Sequence, residues 1–175
     1  NFFVCVASYS ELLFGQNGTG GVYKASDDYL INVPADLDSR NLNNNLKKLN
    51  DFSKGLDIEK YVLIVPETGY IMNDKLPKNH SKYRDDEAFA TIKETLSDYK
   101  FVDVREVFSK NKDNGIYYKT DHHWTMNGVF LAMNEFLKTA GKPSVQKSDF
   151  NITSHEGFCG TTHSTSAFWL TPPDT

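Results

Sequence analysis

The stretch YVLIVP, from Tyr61 to Pro66, is apolar without interruption. A strand with one face in water alternates apolar and polar residues, so an unbroken run predicts a strand covered on both faces, as in parallel sheets sandwiched between helices. The flanks agree. Upstream, Leu42, Leu46, Leu49 and Phe52 recur at helical spacing, with Asp38 or Ser39 to cap the start and Gly55 to close the end. Downstream, Ala88, Phe89, Ile92, Leu96 and Tyr99 outline a second amphipathic helix, followed by the short apolar FVDV from Phe101. A third candidate strand, GIYY from Gly115, precedes a helix with Met126, Val129, Phe130, Met133 and Leu137 on one face, which stops at Gly141 and Pro143. This alternation predicts an α/β layer fold in which the runs near Tyr61, Phe101 and Ile116 are neighbours in one mainly parallel sheet flanked by helices. Before it, GGVYKASDDYLINVP from Gly20 reads as a hairpin around the turn-forming SDD. From Ser148 onward the periodicity is lost, and loop with irregular strand is expected.

A chain of 175 residues with 39% hydrophobic content can bury one substantial core, so residues 1–175 are read as a single domain. Its 19 basic and 23 acidic residues leave a net charge of -4 and no basic stripe, which argues against a nucleic-acid partner. No apolar run approaches the roughly 20 residues that span a bilayer. The opening NFFVCVA lacks the parts of a signal peptide, so the sequence is read as a mature or trimmed form of something secreted. Cys5 and Cys159 are too few for a disulfide framework and read as two buried free thiols. Sequons begin at Asn17, Asn79 and Asn151 and matter only in a glycosylating source.

The segment YYKTDHHWTMN, from Tyr117, lies on a strand-to-helix connection, where open α/β sheets bind ligands. Three readings compete: an Asp-His relay, a metal site, or histidines that cap the next helix and satisfy buried backbone groups. In a relay the carboxylate fixes the imidazole tautomer, and the other ring nitrogen takes a proton from a nucleophile. In extended backbone, side chains two apart point the same way, so Asp121 and His123 form the expected dyad and His122 faces elsewhere. A metal would need further ligands from His80, His155 or His163; consecutive histidines rarely share one ion and no HExxH pair is present, so neither metal nor cofactor is expected. For a nucleophile within the chain the candidates are Ser8, Ser10, Ser164 and Ser166, none in a recognisable turn motif.

The block YYKTDHHWTMNG resembles the signature of the bacterial DHHW proteins, which are similar to the alginate O-acetylation proteins and carry an SGNH hydrolase-like fold. The stretches ELLFGQNGTGGVYKASDDYLI, YVLIVPETGYIMNDKLP and GFCGTTHSTSAFWLTPPDT resemble their flanking segments in the same order. The resemblance implies an O-acetyltransferase or acetylesterase of cell-surface or secreted polysaccharide, outside the cytoplasm, with membrane-bound acetylation machinery as a partner. It assigns Asp121 to orient His123, His123 to act as general base, and His122 and Trp124 to support them. It also implies a serine in a GDS-like turn beyond Thr175, so the domain is expected to be truncated before its nucleophile. A non-catalytic carbohydrate-binding or assembly domain on the same fold is the alternative.

Overall fold

The computed structural model describes residues 2–174. Helix α1 (Phe2–Leu13) leads into strands β1 (Gly18–Thr19), β2 (Val22–Lys24) and β3 (Leu30–Asn32). These pair antiparallel in that order, with Tyr23 opposite Ile31 across a tight 3-10 turn at Ser26–Asp28, so the hairpin around SDD forms as expected. Helix α2 (Ser39–Ser53) begins at Asp38, whose carboxylate accepts the Asn41 N–H at 2.9 Å. It ends before Gly55, whose φ of +82° is the left-handed conformation that closes helices. Strand β4 (Tyr61–Ile64), the short helix α3 (Thr68–Ile71), helix α4 (Asp85–Thr95), strand β5 (Lys100–Asp103), and helices α5 (Arg105–Lys110), α6 (Met126–Thr139) and α7 (Thr161–Ser166) follow.

Strands β4 and β5 pair in parallel, Tyr61 with Lys100 through Ile64 with Asp103. Their side chains divide between two cores. Tyr61, Leu63 and Val102 join the main cluster built on Ile71, Met72, Phe108, Ile116 and Tyr117. Val62, Ile64 and Phe101 join the cluster of Leu46, Ile92 and Leu96 from α2 and the end of α4. This two-sided packing is why the run is continuously apolar. A third cluster joins Val22 and Leu30 to Phe168, with Tyr9 and Leu12 of α1 against it.

GIYY does not become a third parallel strand. The Ile116 carbonyl accepts the Thr125 N–H at 2.8 Å, the Tyr118 N–H goes to the His123 carbonyl at 3.2 Å, and Tyr117 forms an isolated antiparallel bridge with Trp124. The chain thus folds back on itself and satisfies these backbone groups within its own loop. Cys5 and Cys159 are free, but Cys5 is only half-buried and Cys159 is exposed. Among the described residues no helix is long and apolar enough to cross a membrane.

Candidate active site

The loop from Ile116 to Thr125 is held from three sides. The buried Tyr117 hydroxyl donates to the Pro66 carbonyl at the end of β4, at 2.5 Å. The Lys119 carbonyl accepts the Leu30 N–H of β3 at 2.7 Å. At its far end, Thr125 caps α6, accepting from the Asn127 and Gly128 N–H groups while its hydroxyl donates to the Gly115 carbonyl at 2.6 Å. Trp124 packs half-buried on the main core, its ring 6.0 Å from that of Phe108, so it supports the loop by packing.

Asp121 is 3% exposed, and its two oxygens are fully subscribed. Oδ1 accepts the His123 backbone N–H at 2.9 Å and faces the His123 Nδ1 at 2.5 Å. Oδ2 accepts the Thr161 N–H at 2.7 Å and the Thr161 hydroxyl at 2.9 Å. Burial pushes this carboxyl up, but those hydrogen bonds from Thr161 and His123 outweigh it and bring it down to about 2. An ionised acceptor opposite Nδ1 assigns the proton there, which leaves Nε2 of His123 with its lone pair. The His123 side chain is 62% exposed, so that nitrogen is open to a substrate. The contact expected between Asp121 and His123 is therefore present.

His122 departs from expectation. It does not face away; its ring stacks on His123 with centroids 3.9 Å apart and planes 37° apart. The reason is the bend: the backbone reverses between Tyr118 and His123, so the two-residue alternation of an extended strand does not hold across the block. His122 Nδ1 lies 2.7 Å from Thr161 Oγ1. Since the single proton of that hydroxyl is given to Asp121, Nδ1 of His122 is the donor and its Nε2 is also left with a lone pair. Thr161 thus ties His122 to the carboxylate that holds His123 directly.

Asp121, His122 and His123 lie close enough for one ion to touch all three, and His80, His155 and His163 are not among them. Both carboxylate oxygens already accept two hydrogen bonds each and both Nδ1 atoms are engaged, so the donors left for an ion are the Nε2 atoms of His122 and His123, two where a closed site takes four. The candidate serines do not approach the dyad by hydrogen bond. Ser10, Ser164 and Ser166 donate to the carbonyls of Val6, Gly160 and Thr162, one helical turn back, and Ser8 is buried in α1.

Two site residues were missed from sequence, Gly160 and Thr161. A Cβ on Gly160 would stand 2.3 Å from the Asp121 Cβ and 2.4 Å from Oδ2, so only glycine lets this segment reach the carboxylate. Its partner is 40 residues away, and the only signal was a glycine followed by two threonines after the periodicity had ended.

Comparison with known proteins bears on this geometry. The family model described as SGNH hydrolase-like domain, acetyltransferase AlgX, matches residues 25–150. No curated protein matches. A DHHW family protein from Eubacterium siraeum superposes with a TM-score of 0.73 at 24% identity, covering 89% of this chain and 53% of that one. PatB1 of Bacillus cereus gives 0.64 at 25% identity over 77% of this chain and 50% of that one. The O-acetyltransferase domain of Pseudomonas putida AlgJ gives 0.67 at 18% identity over 88% and 62%. The chain therefore spans roughly half of the first structures that it matches.

Proposed function

Because the chain belongs to the AlgX family of SGNH hydrolase-like domains, we propose that Asp121 and His123 are the acid and base of a Ser-His-Asp triad. The triad transfers acetyl groups to, or removes them from, carbohydrate polymer outside the cytoplasm, and membrane-bound machinery supplies the acyl donor. The observation that carries this reading is the buried, ionised carboxylate fixing Nδ1 of an otherwise exposed histidine. An imidazole so held takes a proton at Nε2 without rotating, and the Asp121 charge stabilises the imidazolium that results.

The chemistry needs an alcohol nucleophile at His123 Nε2, and the serine hydroxyls with bonds described above are turned into their own helices. In this proposal the serine comes from sequence outside these 175 residues. Its hydroxyl proton passes to His123 Nε2 as Oγ attacks the acetyl carbonyl, and the same proton then leaves with the departing alcohol. A sugar hydroxyl or water, deprotonated in turn by His123, attacks the acetyl-serine and returns the serine with its proton.

The test is acetate release from a chromogenic acetyl ester. The 175-residue chain is expected to be inert, since a dyad without nucleophile and oxyanion donors lacks the covalent route, and one such donor alone is often worth about 3 kcal/mol. A natural chain continuing past Thr175 to a GDS-type serine is expected to turn over, and His123→Ala in it to abolish turnover. Turnover by the short chain that depends on Ser164 would refute the outside nucleophile. An inert longer chain with its serine intact would instead favour a carbohydrate-binding or assembly domain.

A further inference from the structure

Beside the dyad, on the His122 side, lies a cavity of about 100 Å³ lined by Ile31 and Asn32 of β3, Glu67, Thr68 and Gly69 where β4 meets α3, Tyr83, and His122 itself. Glu67 is also in the wall of a second cavity of about 250 Å³, with Asp36, Asp38, Arg84 and Asp85. Some of these polar groups are committed. The Thr68 hydroxyl donates to the His122 carbonyl at 3.3 Å, the Tyr83 hydroxyl to the Asn32 carbonyl at 2.5 Å, and Arg84 pairs with Glu87. Asp85 takes the Glu67 N–H on Oδ1 at 2.8 Å. Among the described residues its Oδ2 has no hydrogen-bond partner, although Asp85 is only 6% exposed. Among the described residues, the Glu67 carboxyl and the Asn32 amide make no hydrogen bond, and Nε2 of His122 faces away from its engaged Nδ1.

We propose that these two cavities, which share Glu67 in their walls, are the acceptor subsite for hydroxyl groups of a neutral carbohydrate, and that they discriminate against uronates and other anionic sugars. This rests on the acyl-transfer reading, which requires an acceptor alcohol next to His123. The uncommitted groups are mostly acceptors: a carboxylate and an imidazole lone pair, with one amide that both gives and takes. Hydroxyl groups, which donate, complement them; a ligand carboxylate would set acceptor against acceptor. Arg84, the cation in these walls, is already paired, while Asp36, Asp38 and Asp85 surround the larger cavity, so an anionic ring would be desolvated beside like charge. Burial, then the neighbouring Asp85, raises the Glu67 carboxyl above the ordinary range, as carboxyls set side by side require. Ile31 and the Tyr83 ring supply apolar wall for sugar C–H faces, and the stack of His122 on His123 sets any hydroxyl held there against the base.

Binding can be measured without catalysis. Two-dimensional NMR titrations of this chain would use neutral β-1,4-linked tetramers of glucose, mannose and N-acetylglucosamine, and a mannuronate tetramer, at one ionic strength. At least one neutral tetramer is expected to shift the signals of Glu67, Gly69 and the His122 ring, with the mannuronate tetramer far weaker. Glu67→Gln, which keeps the shape, should weaken the neutral ligand about five- to tenfold, the loss of one charge-assisted hydrogen bond, and narrow the gap between the two classes. Asn32→Ala should weaken the neutral ligand without narrowing that gap. Mannuronate binding as tight as the best neutral tetramer, or no tetramer shifting these signals, overturns the subsite. Selective binding in a longer chain that transfers no acetyl keeps the subsite and removes the enzyme; transfer without selective binding does the reverse.

Discussion

At the scale of single residues, Asp121 is the point on which the site turns. Its carboxyl is lowered to about 2 in the fold from an ordinary 3.8, so its contribution to stability is complete above pH 3.8 and is lost as the pH falls through about 2. Discounted for solvent screening, that contribution is on the order of 1 to 2 kcal/mol. Asp121→Asn is expected to be less stable than the parent by about that amount at pH 7, and acid titration followed by circular dichroism should show the difference shrinking between pH 4 and 2. Gly160→Ala tests the same contact from the other side. The added methyl cannot fit against Asp121, so a loss of about 1–3 kcal/mol is expected in urea unfolding, together with a change in the His123 imidazole nitrogen shifts as Nδ1 loses its acceptor. The Asp121 and His123 pair was named from an extended-strand alternation that the bend replaces; what brings the two together is the Asp121 carboxylate accepting the His123 N–H two residues on, a local turn. The position of His122 was not legible in sequence, because it depends on a reversal closed by hydrogen bonds, and Gly160 and Thr161 were not, because nothing local announces a contact across 40 residues.

Among the elements, α5 does more than its short length suggests. Its Phe108 is fully buried and meets the Tyr117 ring edge-on at 5.8 Å and the Trp124 ring at 6.0 Å, so both ends of the site loop lean on one side chain. Phe108→Ala should cost about 3–5 kcal/mol in urea unfolding. It should also speed amide exchange from Tyr117 to Trp124 more than in β4, where the packing is shared by two clusters. Strands β4 and β5 and helix α4 could be read in advance because their apolar spacing reflects the faces that they bury; α2 was read in the right place, but of its stripe only Leu46 is buried and Leu42 half-buried, while Leu49 and Phe52 are 41% and 78% exposed. Helix α6 was read in the right place with the wrong face. Met126 at its start is 74% exposed, and the residues that bury are the small Gly128 and Ala132, with Gly128 close enough that a Cβ would stand 2.7 Å from the Ile116 carbonyl oxygen. Close approach selects small side chains, which a search for apolar stripes passes over. GIYY failed as a strand for a related reason: its composition suits a sheet, but its hydrogen bonds are taken by the returning loop.

For the molecule as a whole, the site loop lies where the hairpin sheet, the parallel pair and the last segment of the chain converge. That last segment is fastened at both ends. Phe158 bridges Asp174, and the Asp174 carboxylate accepts the N–H groups of Lys119 and Thr120 at 2.7 and 2.9 Å and the Thr120 hydroxyl at 2.5 Å. Between these fastenings Thr161 holds Asp121, and Phe168 fills the core beneath β2 and β3. Residues 151–156 are exposed throughout and make no described side-chain hydrogen bond. Two glycines inserted after Ser154 should therefore leave the thermal midpoint within about 1–2 °C of the parent, whereas the same insertion after Ser166 should lower it by several degrees and release the His123 tautomer. The Asp174 fastening thus divides the tail into a part whose length is free and a part whose length is not. Across related chains, drift in residue number should gather before Phe158 and be almost absent from there to Asp174, so a homologue with a gap inside that stretch would have to hold its aspartate by another route.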